Sequence, residues 1–250
     1  MPVIEPIRQE VTWSPNELAI GIVGVAPWAT LSFCSELYKL VDAKKDWHYP
    51  RLIIDANTKI PSRGRYFDLG ETDPSPYIKK TILELQNAGA GVIVVPCNTA
   101  HILYHSWAEG ISIPVPHIID STVLRATKIG AGTVSVLESL SMRRFGLYKQ
   151  SIEDAGNTYI SLTDKQAKLV SCLISTVKVE GEPSKQDGEK FETLLLALKR
   201  QGTDTLILGC TELSIFTSYI SRHSLQVIDS NIELARAALL IAGCDMITYE

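Results

Sequence analysis

The sequence has no surplus of positive charge, and it has no long apolar runs. Lys and Arg total 24 against 28 Asp and Glu, a net charge of −4, whereas nucleic-acid-binding domains usually carry a basic surplus. The longest apolar stretches, such as 237–242, fall far short of the about 20 residues that span a bilayer. Residues 1–17 contain no apolar h-region, which argues against a secretory signal. The sequence therefore predicts a protein with neither a nucleic-acid partner nor a membrane partner.

The cysteines also lack the spacing of a disulfide scaffold or a zinc site. Their number is odd, and no two are close enough to form a Cys-x-x-Cys pair. Free thiols without an export signal predict a cytoplasmic protein. Phosphate-binding motifs of the types Gly-x-Gly-x-x-Gly and Gly-x-x-x-x-Gly-Lys are absent, which argues against a nucleotide. The five cysteines are Cys34, Cys97, Cys172, Cys210 and Cys244.

What the chain does contain is a regular alternation of apolar, β-rich runs and segments with helical spacing. Several of the runs are apolar throughout, as strands covered on both faces are. Alternation of this kind predicts an α/β fold with parallel sheets flanked by helices. The predicted strands are 19–25, 52–57, 91–97, 115–119, 133–137, 158–162, 205–210 and 225–228, and the clearest helices are 77–87, 191–199 and 232–242.

An internal repeat appears when the chain is shifted by 113 positions, which places Cys97 on Cys210. Gly89 then falls on Gly202, and the apolar run 92–95 falls on 205–208. Each copy reads as helix, glycine turn, buried strand and cysteine. We therefore predict two similar lobes with a cleft between them, where parallel sheets bind ligands beyond their strand ends.

The repeated cysteines are the candidate reactive groups. Each follows a strand and precedes residues suited to begin a helix, and the helix dipole there is expected to favour the thiolate and lower the cysteine pKa. Two thiols on opposite sides of a cleft can invert a carbon centre, since one removes a proton and the other donates one to the opposite face. His101 and Glu212 lie close enough in sequence to move protons to or from these thiols.

These motifs resemble a known superfamily. Pro-Cys-Asn-Thr-Ala-His at 96–101 and Gly-Cys-Thr-Glu at 209–212 are similar to the cysteine motifs of the cofactor-independent aspartate/glutamate racemase superfamily, most of all its aspartate racemase branch. The segment 54–63, which ends in Ile-Pro-Ser-Arg, and the segment 164–178, which ends in lysine, agree with it. The resemblance extends from about residue 20 to residue 241.

The resemblance implies two pseudo-twofold related lobes, each with a four-stranded parallel sheet, and an active site between them. The expected boundaries are an N-terminal extension at 1–18, a first lobe at 19–119 with 225–250, and a second lobe at 120–224. It implies a racemase that uses no cofactor or metal and acts on a small amino acid. A homodimer is expected separately, because twofold dimers are the commonest assembly of soluble proteins. Cys97 and Cys210 become the acid–base pair, His101 and Glu212 assist them, and the substrate-binding residues are Asn57, Arg63, Asn98, Thr99, Ser139, Lys178 and Thr211.

Some positions depart from the family pattern. The first loop, 24–27, is shorter and poorer in glycine than usual, Trp28 adds bulk near the expected cleft, and Met142 stands where a hydroxyl is common. Three alternatives stay open: a cysteine-dependent isomerase or decarboxylase of a dicarboxylic acid, a ligand-binding protein without turnover, and a thiol redox protein. The presence of both cysteines favours inversion, because a decarboxylase can work with one.

Overall fold

The computed structural model describes residues 16–220 and 225–247. The strands within those ranges are β1 (Ile20–Val23), β2 (Leu52–Asp55), β3 (Val92–Val94), β4 (Thr133–Glu138), β5 (Thr158–Tyr159), β6 (Thr205–Gly209) and β7 (Gln226–Asp229). The helices are α1 (Pro27–Lys39), α2 (Arg63–Leu69), α3 (Ser75–Asn87), α4 (Tyr104–Ala108), α5 (Ile118–Lys128), α6 (Leu140–Phe145), α7 (Leu147–Asp154), α8 (Asp164–Glu180), α9 (Lys185–Arg200), α10 (Thr217–Ile220) and α11 (Ser230–Ala242). Short 3₁₀ helices cover Asp46–His48, Asn98–Leu103 and Thr211–Phe216.

The strands form two parallel sheets. The first has the order β2-β1-β3 and the second the order β5-β4-β6-β7. Every pair of neighbouring strands in these sheets is parallel. Helices cover the sheets, so β1, β3 and β6 are buried along their whole length, as continuous apolar runs in a parallel sheet should be. The predicted α/β fold with two parallel sheets is confirmed.

The strand predicted at 115–119 is wrong. Pro114 and Pro116 stand on either side of Val115, and proline supplies no N–H to a strand ladder. A single backbone bond ties this stretch of the described chain to the first sheet, from the N–H of Ile93 to the carbonyl of Pro114 at 3.0 Å. His117 then caps α5. The first sheet consequently has three strands in the described residues, where four were expected.

The last strand lies in a different sheet from the one expected. The sequence assigned 225–250 to the first lobe, but β7 pairs in parallel with β6, with Leu208 opposite Asp229. The helix that follows, α11, packs against α1 and α5. The chain therefore returns toward the first lobe after β7 rather than at residue 225. The remaining lobe limits stay a prediction.

The backbone repeats as the sequence predicts. Helices α3 and α9 both end in a glycine turn, with φ of +98° at Gly89 and +92° at Gly202, a conformation that favours glycine. The 3₁₀ helices at Asn98–Leu103 and Thr211–Phe216 have the same length, and a short α-helix follows each. The duplicated unit of helix, glycine, strand and cysteine is thus confirmed from the backbone.

The buried apolar residues form three clusters. One lies in the first lobe around α3 and β3, and another in the second lobe around α8, α9 and β6. The third, the central cluster, joins the sheets: it contains Ile22 and Val94 from the first sheet, Val136 and Ile207 from the second, and Leu234 from α11. The two lobes therefore share a packed interior.

The ends of the chain are only partly described. The expected extension at 1–18 lies outside the described residues except for its last three. Of these, Leu18 donates its backbone N–H to the carbonyl of Ala242, at 2.9 Å. Within the described ranges, no helix is long and apolar enough to cross a membrane.

Candidate active site

A cavity of about 220 Å³ lies where the two lobes face each other. Drug-sized ligands occupy pockets of roughly 300–1,000 Å³, so this cavity suits a molecule the size of an amino acid. Nine of the eleven residues predicted for the site line it: Arg63, Cys97, Asn98, Thr99, Ser139, Lys178, Cys210, Thr211 and Glu212.

The two cysteines occupy equivalent backbone positions. Cys97 has φ −155° and ψ 105°, Cys210 has φ −148° and ψ 131°, and each precedes a 3₁₀ helix. The carbonyl of each accepts the N–H three residues later, from Ala100 at 3.1 Å and from Leu213 at 3.0 Å. The helices that follow are shorter and tighter than the α-helices expected from the sequence. All five cysteines are free thiols.

Cys210 contacts a carboxylate. Its Sγ donates to Oε2 of Glu212 at 3.0 Å, and the hydroxyl of Thr211 donates to the same oxygen at 3.3 Å. Both Cys210 and Glu212 are buried, each with 6% of its surface exposed. This contact places a hydrogen-bond acceptor against the thiol, and the proton-transfer role predicted for Glu212 stays a prediction.

The electrostatics of Cys210 differ from the expectation. Burial raises the pKa of its thiol well above the usual value, and the charge on Glu212 raises it further, while Lys178 lowers it. The predicted effect of a helix N-terminus is outweighed, because a buried thiolate loses its hydration and here would also face a carboxylate. Cys210 is therefore a protonated thiol at neutral pH.

Three cations border the cavity and differ in their partners: Arg63, Arg65, which pairs with Glu71, and Lys178. Nζ of Lys178 lies 3.8 Å from Oε1 of Glu212. Loss of surrounding water lowers the pKa of Lys178, but Glu212 and the two cysteines outweigh this and the pKa is raised overall. The charge on Arg63 lowers the pKa of Lys178, so the two positive charges lie close enough to repel each other.

Arg63 is held by neutral groups. Its guanidinium donates to the backbone carbonyls of Ile60, Pro61 and Val25 at 3.4, 3.0 and 3.1 Å. Its buried Nε has no hydrogen-bond partner. These bonds hold the loop before α2 against the loop before α1. Among the described residues, no acidic side chain forms an ion pair with Arg63.

Asn98 uses its side chain within the protein rather than in the cavity. Its amide nitrogen donates to Ser230 at 2.9 Å, and its oxygen accepts from the hydroxyl of Tyr148 at 2.7 Å. Thr99 and Ser139 instead meet across the lobes, with their hydroxyl oxygens 3.1 Å apart. The cavity thus receives hydroxyls from both lobes.

Two predicted site residues do not line the cavity. The side chain of Asn57 donates to the hydroxyl of Thr81 on α3 at 2.9 Å, which fixes the loop after β2. His101 is buried behind Cys97, with Nδ1 at 3.0 Å from the carbonyl oxygen of that residue. Burial, with the charge of His117 adding to it, lowers the pKa of His101 to about 3. The imidazole is therefore neutral, and it contacts the backbone of Cys97 rather than the cavity.

Two side chains that were expected to alter the cavity, those of Met142 and Trp28, lie outside it. Met142 is fully buried in the central cluster, and its backbone N–H is capped by the hydroxyl of Ser139 at 3.2 Å. Trp28 lines a neighbouring cavity rather than this one. Neither side chain restricts the candidate site.

Four serines outside the predicted set line the cavity, among them Ser62 at the N-cap of α2. Ser171 and Ser175 lie on α8 two turns and one turn before Lys178, a spacing of four and three residues that places all three on one helix face. Ser141 also lines the cavity and donates to Asp68 of α2 at 3.2 Å, a contact that no local pattern announces. Within the described ranges, no group of three or more His, Cys, Asp or Glu side chains could hold a metal ion.

Comparison with known proteins gives a consistent result. The family model described as Asp/Glu/Hydantoin racemase matches residues 22–238. The broad specificity amino-acid racemase RacX of Bacillus subtilis is 26% identical over 231 residues, which cover 88% of this chain and 96% of that protein.

Solved structures share the fold. The Picrophilus torridus aspartate racemase has a TM-score of 0.83 and 27% identity, and the match covers 92% of this chain and 96% of that one. A glutamate racemase of Bacillus anthracis has a TM-score of 0.66 at 21% identity, with 90% and 82% of the chains covered. The second similarity concerns the fold alone.

Proposed function

This chain belongs to the Asp/Glu/Hydantoin racemase family, and from that premise we propose that it inverts the α-carbon of an amino acid by proton transfer between Cys97 and Cys210. The observation that carries the proposal is the placement of both thiols on one cavity, after equivalent strands of opposite lobes. A two-base inversion requires an acceptor on one face of the carbon and a donor on the other.

The raised pKa of Cys210 indicates which cysteine donates the proton at the start of the reaction. Cys210 is a protonated thiol and is the donor in the resting enzyme. Cys97 as thiolate takes the Cα proton, and the S–H bond of Cys210 breaks as the new C–H bond forms on the opposite face. Sulfur of Cys210 keeps the electron pair and becomes the thiolate that starts the reverse reaction.

Glu212 and Lys178 assist the donor side. The carboxylate of Glu212 accepts the hydrogen bond of the Cys210 thiol, so it can exchange a proton with that sulfur. Lys178 stabilises negative charge on Glu212 and on a Cys210 thiolate. His101 is assigned a positioning role behind Cys97 rather than a proton-transfer role.

Backbone amides supply the site for the α-carboxylate. The N–H groups of Asn98, Thr99 and Thr211 donate to no other residue in 16–220 or 225–247 and begin the two 3₁₀ helices. Such first-turn amides favour an anion. The hydroxyls of Thr99 and Ser139 lie at the same cavity, while the side chain of Asn98 is bonded to Ser230 and Tyr148 within the protein.

The substrate side chain is proposed to be acidic. Arg63 and Lys178 border the cavity, and Arg63 carries a charge that no described carboxylate neutralises. A carboxylate is the natural partner of such a guanidinium. Aspartate and glutamate are therefore the first substrates to test. The proposal requires neither metal nor pyridoxal phosphate, so activity should persist in EDTA and in hydroxylamine.

The deciding experiment is incubation of the protein with each L-amino acid in D₂O. Deuterium at Cα, read by proton NMR, together with D-enantiomer, read by chiral chromatography, would identify both turnover and substrate. Aspartate or glutamate is expected to give the highest rate. The absence of exchange and of inversion with every amino acid would refute the proposal, and a faster rate with alanine than with aspartate would refute the acidic side chain alone.

We also propose a cytoplasmic homodimer. The free thiols support a reducing compartment, and twofold dimers are the commonest assembly of soluble enzymes. Light scattering after gel filtration would measure the mass, and a monomer of 27.5 kDa would contradict the dimer.

A further inference from the structure

Glu212 lies between two cavities. A second cavity of about 190 Å³ adjoins the first, and Thr211 and Glu212 line both. Its other walls come from α1, from the end of α8 and from the 3₁₀ helix after Cys210. Cys210 and Lys178 line only the first cavity, so Glu212 is the ionisable group common to the two among the described residues.

The second cavity reaches the protein surface. Its wall includes the indole of Trp28, which is 45% exposed. The indole packs on Gly181, where an added Cβ would lie 2.8 Å from its Cε2 atom. Glu36, also in the wall, has a side chain that is 26% exposed. An ionisable carboxylate therefore stands between this cavity and bulk solvent.

The carboxylate of Glu212 meets the thiol from the buried side. Oε2 accepts the hydrogen bond of Cys210 at 3.0 Å, and Oε1 is turned toward Lys178 at 3.8 Å. Its side chain is only 5% exposed, so solvent has little access to it except through cavities. Glu212 thus touches a reacting sulfur while bordering a space that substrate does not fill.

We propose that Glu212 passes the proton of Cys210 to and from solvent through the second cavity. The S–H bond of Cys210 breaks as an O–H bond forms on Glu212, and sulfur keeps the electron pair. A solvent water in the second cavity then takes the proton from Glu212 and passes it outward past Glu36. The reverse order reloads the thiol after it has donated. The inference rests on the proposed function, in which Cys210 is one of the two acid–base groups.

Cys97 has no equivalent route. No described side chain forms a hydrogen bond with its sulfur, and the neighbouring His101 is a buried neutral imidazole that contacts only its backbone. A proton on Cys97 can reach water through the substrate cavity alone, which is filled during turnover. The hydrogen on Cys210 should therefore exchange with solvent while substrate is bound, and the hydrogen on Cys97 should not.

The test compares exchange without inversion for the two enantiomers. L- and D-aspartate, or the enantiomers of whichever amino acid turns over fastest, are incubated separately in D₂O with the wild-type protein. Deuterium in the recovered starting enantiomer is divided by the product formed in the same sample. We expect this ratio to be at least about fivefold larger for one enantiomer, the one whose hydrogen faces Cys210. The variant Cys97→Ala identifies that enantiomer, since it can exchange no other.

Variants of the second cavity locate the route. Ser32→Leu on α1 fills the cavity, and Glu36→Gln removes its outer carboxylate. Ser32→Leu should bring the two ratios to within about twofold of each other, and Glu36→Gln should reduce their difference at least about twofold. Ser35→Leu, on an exposed face of the same helix, is the matched control and should leave the ratios unchanged.

The outcomes separate the two proposals. Racemisation with equal exchange ratios for both enantiomers overturns the relay and leaves the two-cysteine mechanism standing. The same holds if the ratios differ but neither Ser32→Leu nor Glu36→Gln alters them. Absence of racemisation with every amino acid overturns both. If thermal unfolding shows that Ser32→Leu does not fold, the result for Glu36→Gln decides.

Discussion

The two cysteine sites share a backbone and differ in what surrounds the sulfur. Both cysteines adopt extended φ and ψ at the start of a six-residue 3₁₀ helix. Behind Cys97 lies a neutral, buried imidazole, while beside Cys210 lies a carboxylate that accepts the hydrogen bond of its thiol. The repeat thus explains the positions of both thiols, and burial with the neighbouring carboxylate explains the raised pKa of Cys210.

The nearby cations differ in the same way. Arg63 comes from the first lobe and is bonded to backbone carbonyls, whereas Lys178 comes from the second lobe and faces Glu212. The positive charge available to a substrate is therefore concentrated on Arg63. In the proposed mechanism, the lobe of Cys210 supplies Glu212 and Lys178 for proton transfer, and the lobe of Cys97 supplies Arg63 for the substrate carboxylate.

The largest effect is expected from removing either thiol. Cys97→Ala and Cys210→Ala should each lower racemisation at least about 1,000-fold, since each removes one of two general acid–base groups. Each variant should still exchange the Cα hydrogen of one enantiomer in D₂O, and the two should retain opposite enantiomers. Polarimetry and proton NMR measure both quantities.

Cys172→Ala is the matched control for these variants, because Cys172 is an exposed thiol on α8. Its activity should equal that of the wild type. Near-native racemisation by Cys97→Ala or Cys210→Ala would contradict the two-base mechanism. The two cysteine sites would then not have the complementary roles proposed for them.

The next effect concerns the two cations. Arg63→Ala should lower kcat/KM for aspartate about 100-fold and for alanine much less, because loss of a charged hydrogen-bond partner costs about 2–5 kcal/mol. Lys178→Ala should change the ratio of the two substrates less, since its charge is already opposed by Glu212. Initial rates with both amino acids provide the ratio.

Arg200→Ala controls for the loss of an arginine, because Arg200 is exposed at the end of α9 and does not line the candidate site. Equal losses for aspartate and alanine in Arg63→Ala would mean that the bonds of Arg63 to the loop carbonyls, rather than its charge, are what the enzyme needs.

A smaller effect is expected from Glu212→Gln. Removing the charge beside Cys210 should lower the pKa of that thiol, and loss of the proton acceptor should reduce kcat/KM by about 10- to 100-fold. Thiolate absorbance followed against pH, with Glu212→Gln/Cys210→Ala subtracted, measures the pKa change. Glu189→Gln, exposed on α9, is the control, and an unchanged or raised pKa would contradict the electrostatic assignment.

The smallest effect is a change in acid stability at His101. Its pKa is about 3 in the folded protein against 6.5 unfolded, so the unfolded chain binds an extra proton between these values and stability falls as pH decreases from about 6.5 toward 3. In His101→Gln the free energy of unfolding should fall less steeply, by up to about 1.4 kcal/mol per pH unit. Urea unfolding at pH 4 to 7 measures the slopes. Parallel slopes would mean that His101 is not buried neutral.

The internal repeat was the part of the fold that the sequence predicted best. Continuous apolar runs and the two glycine turns predicted β3 and β6, and with them the positions of both cysteines. The segment at 115–119 misled because its apolar composition resembles a strand, while its flanking prolines remove the N–H groups that a ladder needs. The prediction that 225–228 belongs to the first lobe failed because the sheet that a strand joins is decided by tertiary packing, which the local sequence pattern does not contain.

Within the site, residue identity was more predictable than orientation. Nine of eleven residues reached the cavity, yet His101 and Asn98 direct their polar atoms into the protein. The raised pKa of Cys210 depends on a contact between side chains and on burial, neither of which a linear pattern contains.

The central cluster limits how independently the lobes can behave. Because it draws side chains from both sheets and from α11, neither lobe can lose its packing without exposing the inner face of the other. Heat or urea should therefore unfold the chain in one cooperative transition rather than lobe by lobe. On the side of the cavity the lobes meet through the hydroxyls of Thr99 and Ser139 and through the rings of Phe67 and Phe145, so any widening of the cavity there has to separate both contacts.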